Sequence, residues 1–115
     1  MSGFDFAATP KPPYYAVIFS SQRTGNDPEG YAKMAAKMDE LAKTMPGYLG
    51  IESIRSAENA TITVSYWQDE EAIRNWRTNA EHRIAQEFGK SDWYQHYELR
   101  IAKVERAYDG PPTSS

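Results

Sequence analysis

Few side chains in this 115-residue sequence are equipped for chemistry, and its two histidines come first among them. His82 lies in a stretch, residues 69–88, whose apolar positions recur at helical spacing, and it is the strongest acid/base candidate there. A neutral imidazole at that place can take the proton of a phenolic substrate. Trp76, on the same stretch, offers a flat face to an aromatic ligand. On an unbroken helix the two would point about 120° apart, at ~100° per residue. A break at Asn79, a good capping residue, is expected to bring both to one cavity between helix and sheet. Each also has an ordinary reading: His82 on the surface or bonded to Glu81 or a backbone carbonyl, Trp76 packed under the helix. Phe19, Tyr66 and Tyr97 are placed to line the same space from the sheet. Trp93 and Tyr94 either close its mouth or pin the loop before the last strand. Arg83 and Arg100 can hold a carboxylate or enolate oxygen, or pair with Glu81, Glu87 or Glu98 on the surface.

Other chemistries find no support. The chain has no cysteine, which removes disulfides, thiolate nucleophiles and thiolate metal ligands. His96 stands beside Tyr97 and Glu98, and no His-x-x-His or Glu-x-x-His spacing ties it to His82, so no metal is expected. The carboxylates form no dyad suited to glycoside hydrolysis. Neither a glycine-rich phosphate loop nor a Gly-x-Ser-x-Gly elbow occurs. The formal net charge is −3 with no basic block, so neither nucleic acid nor an anionic membrane is an expected partner. No apolar run approaches the ~18 residues of a membrane span, and the first residues lack a signal-type core. A cytoplasmic location is the expectation. Aromatic residues make up 13% of the chain, enough to supply both a core and a ligand surface.

The elements that must position these residues can be read from periodicity. Residues 1–13, with Pro10, Pro12 and Pro13, form an irregular arm whose Phe4 and Phe6 can tuck against the body or a partner subunit. Residues 14–108 form the domain, and residues 109–115 a flexible tail. Tyr14 to Arg23 reads as a strand. Asp27 caps a helix with Pro28 at its first position, and Tyr31, Met34, Met38, Leu41 and Met45 make one apolar stripe. Tyr48 to Arg55 and Ala60 to Trp67 are strands joined by a short turn. The apolar parity shifts between Ile51 and Ile54, which predicts a bulge there. Asp69 caps the second, split helix; Gly89 ends it. Lys90 to Tyr94 is a turn or short helix, and Tyr97 to Tyr108 the last strand. The order β-α-β-β-α-β predicts an α+β, ferredoxin-like fold with a four-stranded antiparallel sheet and both helices on one face. Val17 and Phe19 point one way, Ala16 and Ile18 the other, so the second face is apolar too. A second copy of the same sheet would cover it, giving a homodimeric α+β barrel.

Pro46-Gly47-Tyr48 followed by Gly50, then Tyr66-Trp67, Trp76, Glu81-His82-Arg83 with Ala85-Gln86, Gly89, Trp93-Tyr94, Tyr97, Arg100-Ile101 and Val104-Glu105-Arg106 form an ordered set. Over residues 14–108 it resembles the antibiotic biosynthesis monooxygenase family. The resemblance implies a dimeric barrel. It also implies oxygenation of an aromatic or quinol-like small molecule without metal, flavin or haem, with His82 and Trp76 as catalytic residues. Phe19, Tyr66, Trp93, Tyr94, Tyr97 and Arg83 would then hold the substrate. Members without a known reaction leave open a non-enzymatic dimeric ligand-binding or accessory protein. In the haem-degrading branch, the spacing from helix tryptophan to ligand histidine arrives here at Gln86, while the histidine stands at position 82. Haem is therefore the less favoured ligand.

Overall fold

The computed structural model describes residues 3–89 and 91–111. The elements follow in the order β1 (Tyr14–Arg23), α1 (Pro28–Thr44), β2 (Tyr48–Arg55), β3 (Ala60–Trp67), α2 (Glu70–Glu87) and β4 (Tyr94–Val104). The strands form one antiparallel sheet in the order β2-β3-β1-β4, with β4 at an edge. This is the expected ferredoxin-like α+β fold.

Local chemistry starts and stops each element. The Asp27 carboxylate accepts from the Gly30 amide at 3.1 Å, and Pro28 occupies the first turn of α1. Asp69 does the same for α2, accepting from Ala72 N at 2.8 Å, with Glu70 and Glu71 set against the helix dipole. Gly47 turns the chain from α1 into β2 at a φ of +86°. A Cβ there would come within 2.6 Å of the Ala72 Cβ, so conformation and space both demand glycine.

Side chains alternate across a strand, so the register assigns every residue to a face. Tyr15, Val17, Phe19, Ser21 and Arg23 of β1 share the helix-covered face with Thr61, Thr63, Ser65 and Trp67 of β3. Val17 and Trp67 pack there with Ala42 of α1 and with Ala72 and Ile73 of α2. Trp67 is wholly buried, and its indole N–H donates to Ser65 Oγ at 2.9 Å. A second cluster joins Tyr31, Met34 and Trp93 to Met38, Ile84, Phe88 and Tyr94. The methionine stripe of α1 is therefore core.

The other sheet face carries Tyr14, Ala16 and Ile18 of β1, Ile62, Val64 and Tyr66 of β3, and Ile54 of β2. No helix covers it. The N-terminal arm crosses one end: Ala7 N donates to Glu52 at 3.0 Å, Tyr66 Oη donates to Glu52 at 2.7 Å, and the Thr9 and Tyr14 hydroxyls bond at 3.0 Å. Phe4 and Phe6 pack edge to face on each other, 4.9 Å apart, and stay largely exposed. Beyond the arm, Ile54 and Ile62 are 63% and 50% exposed.

Several expectations are corrected. Helix α2 is unbroken: the Asn79 side chain donates to the Asn75 carbonyl at 2.9 Å, one turn back, rather than capping a new start, and Ala80 is buried in the same helix. The irregularity in β2 lies between Tyr48 and Gly50, and Ile51 and Ile54 simply face opposite sides of the sheet. Strand β4 begins at Tyr94 and ends at Val104, with a register shift opposite Gln22 and Arg23 that absorbs the polar Gln95-His96 stretch. Residues 105–111 have no regular structure, and positions 112–115 of the expected tail lie outside the described residues. Among the described residues no helix is long and apolar enough to cross a membrane.

Candidate functional site

Tyr97, Leu99 and Ile101 share the helix-side face of β4. Leu99 packs on the main core, but Tyr97 and Ile101 are 53% and 43% exposed. Helix α2 thus leaves a strip of apolar surface uncovered along the edge strand. Phe19 lies opposite Leu99 in the register, on the inner side of this strip. Its ring centroid is 5.2 Å from that of Tyr97 and 5.7 Å from that of Tyr94, and the two tyrosine rings are 5.4 Å apart. Tyr94 also meets Tyr31 of α1 edge-on at 5.8 Å. Such tilted and edge-to-face pairs are favoured aromatic geometries, and a flat ligand can extend them.

The polar groups at this site are few. Burial, and then the neighbouring Tyr31 hydroxyl, push the Tyr94 phenol above its ordinary value, so it stays a proton donor through the physiological range. On the helix side, Trp76 lies against Trp67 with centroids 5.4 Å apart and rings inclined by 32°. The Trp76 indole N–H is buried and has no hydrogen-bond partner. Arg23, which opposes Tyr94 in the register, holds its guanidinium 4.3 Å from the centre of the Tyr31 ring.

The structure brings Phe19, Tyr94 and Tyr97 together and leaves other expected site residues elsewhere. Tyr66 lies on the opposite sheet face, bonded to Glu52, and does not share a space with Phe19 and Tyr97. Burial and that carboxylate hold its phenol above the usual value. His82 is exposed on α2, and without a break at Asn79 it is not carried to the side of Trp76. Arg83 pairs with Glu87 at 3.5 Å, and Arg100 pairs with Glu98 at 2.6 Å, where His96 also lies 3.2 Å from Glu98. Trp93 is the clamp: it is buried against Tyr31 and Phe88, its N–H donates to Asp27 at 3.2 Å, and its carbonyl accepts from Thr24 N. An open concavity of about 340 Å³ lies among Ser21, Gln22, Thr61, Ile62, His96 and Arg100, and the rings of Phe19, Tyr94 and Tyr97 do not line it.

The family model of the antibiotic biosynthesis monooxygenases matches residues 13–87. The chain belongs to that family. Within and around it, the chain is 53% identical over 98 residues to the uncharacterized protein YqjZ of Bacillus subtilis, covering 85% of each. It is 31% identical over 94 residues to the jasmonate monooxygenase ABM of Pyricularia oryzae; the match takes in 78% of this chain but only 43% of that longer protein. The crystal structure of SnoaB, a cofactor-independent oxygenase from Streptomyces nogalater, superposes with a TM-score of 0.64 at 12% identity, covering 84% of this chain and 97% of SnoaB. At that identity the likeness establishes the fold of this family member and not its reaction.

Residues of the helix-covered face that sequence reasoning did not single out are Arg23, Ser21 and Thr61 on the sheet and Leu99 and Ile101 on the edge strand. The signal was their parity. Ser21 and Arg23 continue the alternation of Val17 and Phe19, and Leu99 and Ile101 continue that of Tyr97.

Proposed function

We propose that the chain is a cofactor-independent monooxygenase that binds an aromatic or quinol-like small molecule in the cleft between α2 and β4. The observation that carries this reading is the aromatic cluster of Phe19, Tyr94 and half-exposed Tyr97 on the helix-side face at the sheet edge. Family membership and a relative named as a monooxygenase support oxygenation as the reaction type.

In this reaction a ring CH2 next to a carbonyl or phenol loses a proton, and the resulting enolate passes electrons to molecular oxygen. A C–O bond forms to the hydroperoxide. Loss of water then leaves a new C=O, so one oxygen atom enters the product and the other departs in water. The four electrons taken from the carbon are those that reduce the oxygen molecule. Tyr94, held in its protonated form, donates a hydrogen bond to the enolate oxygen. His82 faces solvent about a third of a turn from Trp76. The proton therefore leaves to water, and the substrate must be acidic in its own right, as anthrone-like ring systems are.

The test is oxygen consumption over a panel of anthrone-like substrates, with Phe19→Ala and Tyr94→Phe beside the parent protein. Turnover that falls at least tenfold in both variants is the expected result. No turnover on any member of the panel would remove the reading.

The uncovered apolar face supports a second copy of the chain as the partner, joined sheet to sheet about a twofold axis. The exposure of His82 favours one further reading, a dimeric ligand-binding protein without turnover. Quenching of tryptophan fluorescence by a panel member, with no oxygen consumed, would establish it.

A further inference from the structure

Three polar atoms on the helix-covered face of the sheet are buried without a partner: Ser21 Oγ, Arg23 Nε and Thr61 Oγ1. Ser21 and Thr61 are direct cross-strand partners, and Arg23 follows Ser21 on the same face. All three residues are more than nine-tenths buried. Among the described residues Arg23 makes no ion pair, and its guanidinium lies over the Tyr31 ring and near the Tyr94 phenol. A buried cation without an anion is a liability to folding, and an apolar side chain of similar size would serve the fold better. A hydroxyl can donate or accept and a guanidinium can only donate, so one added acceptor would suit all three, and an anion would also balance the charge of Arg23.

We propose that Arg23, Ser21 and Thr61 form a carboxylate-binding subsite at the inner end of the aromatic cleft, so that the ligand is an aromatic acid rather than a neutral arene. The inference rests on the reading of that cleft as the ligand site and specifies what enters it. The register makes the connection: Arg23 opposes Tyr94 and Ser21 opposes Tyr97, the rings that line the cleft. Strand β4 is the sheet edge, and half-exposed Tyr97 stands between the polar cluster and solvent. Phe19, Ser21 and Arg23 succeed one another along β1 and span roughly 13 Å at ~3.3 Å per residue. A two-ring acid laid along them sets its rings on Phe19 and Tyr97 and its head group at Arg23. A planar guanidinium fork matches the two oxygens of a carboxylate, and the hydroxyls occupy the remaining lone pairs. The chain as a whole is acidic, so attraction of an anion here is local rather than a property of the net charge.

The test compares 1-naphthylacetate with 1-naphthylacetamide, which has nearly the same shape and no charge, by titration calorimetry. The parent protein is expected to bind the acid at least tenfold more tightly than the amide. Arg23→Met should abolish that preference while leaving amide binding and the melting temperature unchanged or higher. A structural arginine would instead lower the melting temperature on removal. Should Arg23→Met fail to fold, the double variant Ser21→Ala, Thr61→Val removes two donors and is expected to cut the preference severalfold. Equal affinity for acid and amide in the parent overturns the subsite and leaves the cleft reading standing. Preference for the acid that survives both variants also overturns it and moves the anion to another cation. Binding of neither compound at millimolar concentration defeats the subsite and the cleft reading together.

Discussion

Replacing Ile54 and Ile62 together by glutamate should convert a dimer into a folded monomer. Both lie on the sheet face that no helix covers, opposite each other in the β2–β3 register, 63% and 50% exposed in the single chain. Fully burying an isoleucine side chain stabilises by roughly 2.5 kcal/mol. Covering the exposed parts of these two therefore contributes about 3 kcal/mol per protomer and about 6 kcal/mol per twofold dimer at that value. At about 1.4 kcal/mol per tenfold, their loss alone raises the dissociation constant by about four orders of magnitude. Four introduced carboxylates facing one another add to that. Because both positions are exposed in the protomer, the monomer's own stability should change by only about 0.5 kcal/mol or less. Sedimentation velocity from nanomolar to tens of micromolar reads the equilibrium, and circular dichroism confirms that the variant is folded. A parent protein sedimenting as a single chain at micromolar concentration would refute the reasoning. So would a double variant that dimerises as tightly as the parent.

Other perturbations follow from single contacts. Gly47→Ala meets both a φ of +86° and the Ala72 Cβ at 2.6 Å, and should destabilise the fold by about 1–3 kcal/mol in urea unfolding. Asp27→Ala removes the cap of α1 and the acceptor of the Trp93 N–H together, and should cost about 2 kcal/mol in the same assay. His82→Ala should leave ligand affinity and stability unchanged within about 0.5 kcal/mol, since the side chain is exposed and outside the cleft. Burial, above all, raises the Tyr94 and Tyr66 phenols above the ordinary tyrosine value of 10.0, so the folded chain keeps those protons longer than the unfolded one. Their contribution is complete below pH about 10 and is lost as the pH rises further. Urea midpoints should therefore fall more steeply above pH 10 in the parent than in Tyr94→Phe.

The fold was legible because its signals are local. Asp27-Pro28 and Asp69 announce helix starts, and the apolar residues on both parities of β1 announce a sheet that is apolar on both faces. Less legible was anything that depends on register. Ile62, Val64 and Tyr66 were correctly placed on one face of β3, but nothing within that strand says that Phe19 pairs with Thr63 and therefore looks the other way. The polar run Gln95-His96 hid the start of β4, because a bulge absorbs it. Asn79 resembled a cap by residue type, yet a helix interior tolerates it when its amide bonds the carbonyl one turn back. Ser21, Arg23 and Thr61 carry no apolar periodicity, and their burial, with Tyr31 of α1 over Arg23, is a tertiary effect invisible to pattern reading.

The most direct test of the central claim is isotopic. Under 18O2, with an anthrone-like substrate, the protein should place one labelled oxygen atom in each product molecule and the other in water, at a rate that falls at least tenfold in Phe19→Ala. Unlabelled product, its oxygen drawn from water instead of 18O2, or a rate unchanged in Phe19→Ala, would contradict an oxygenation housed in this aromatic cleft.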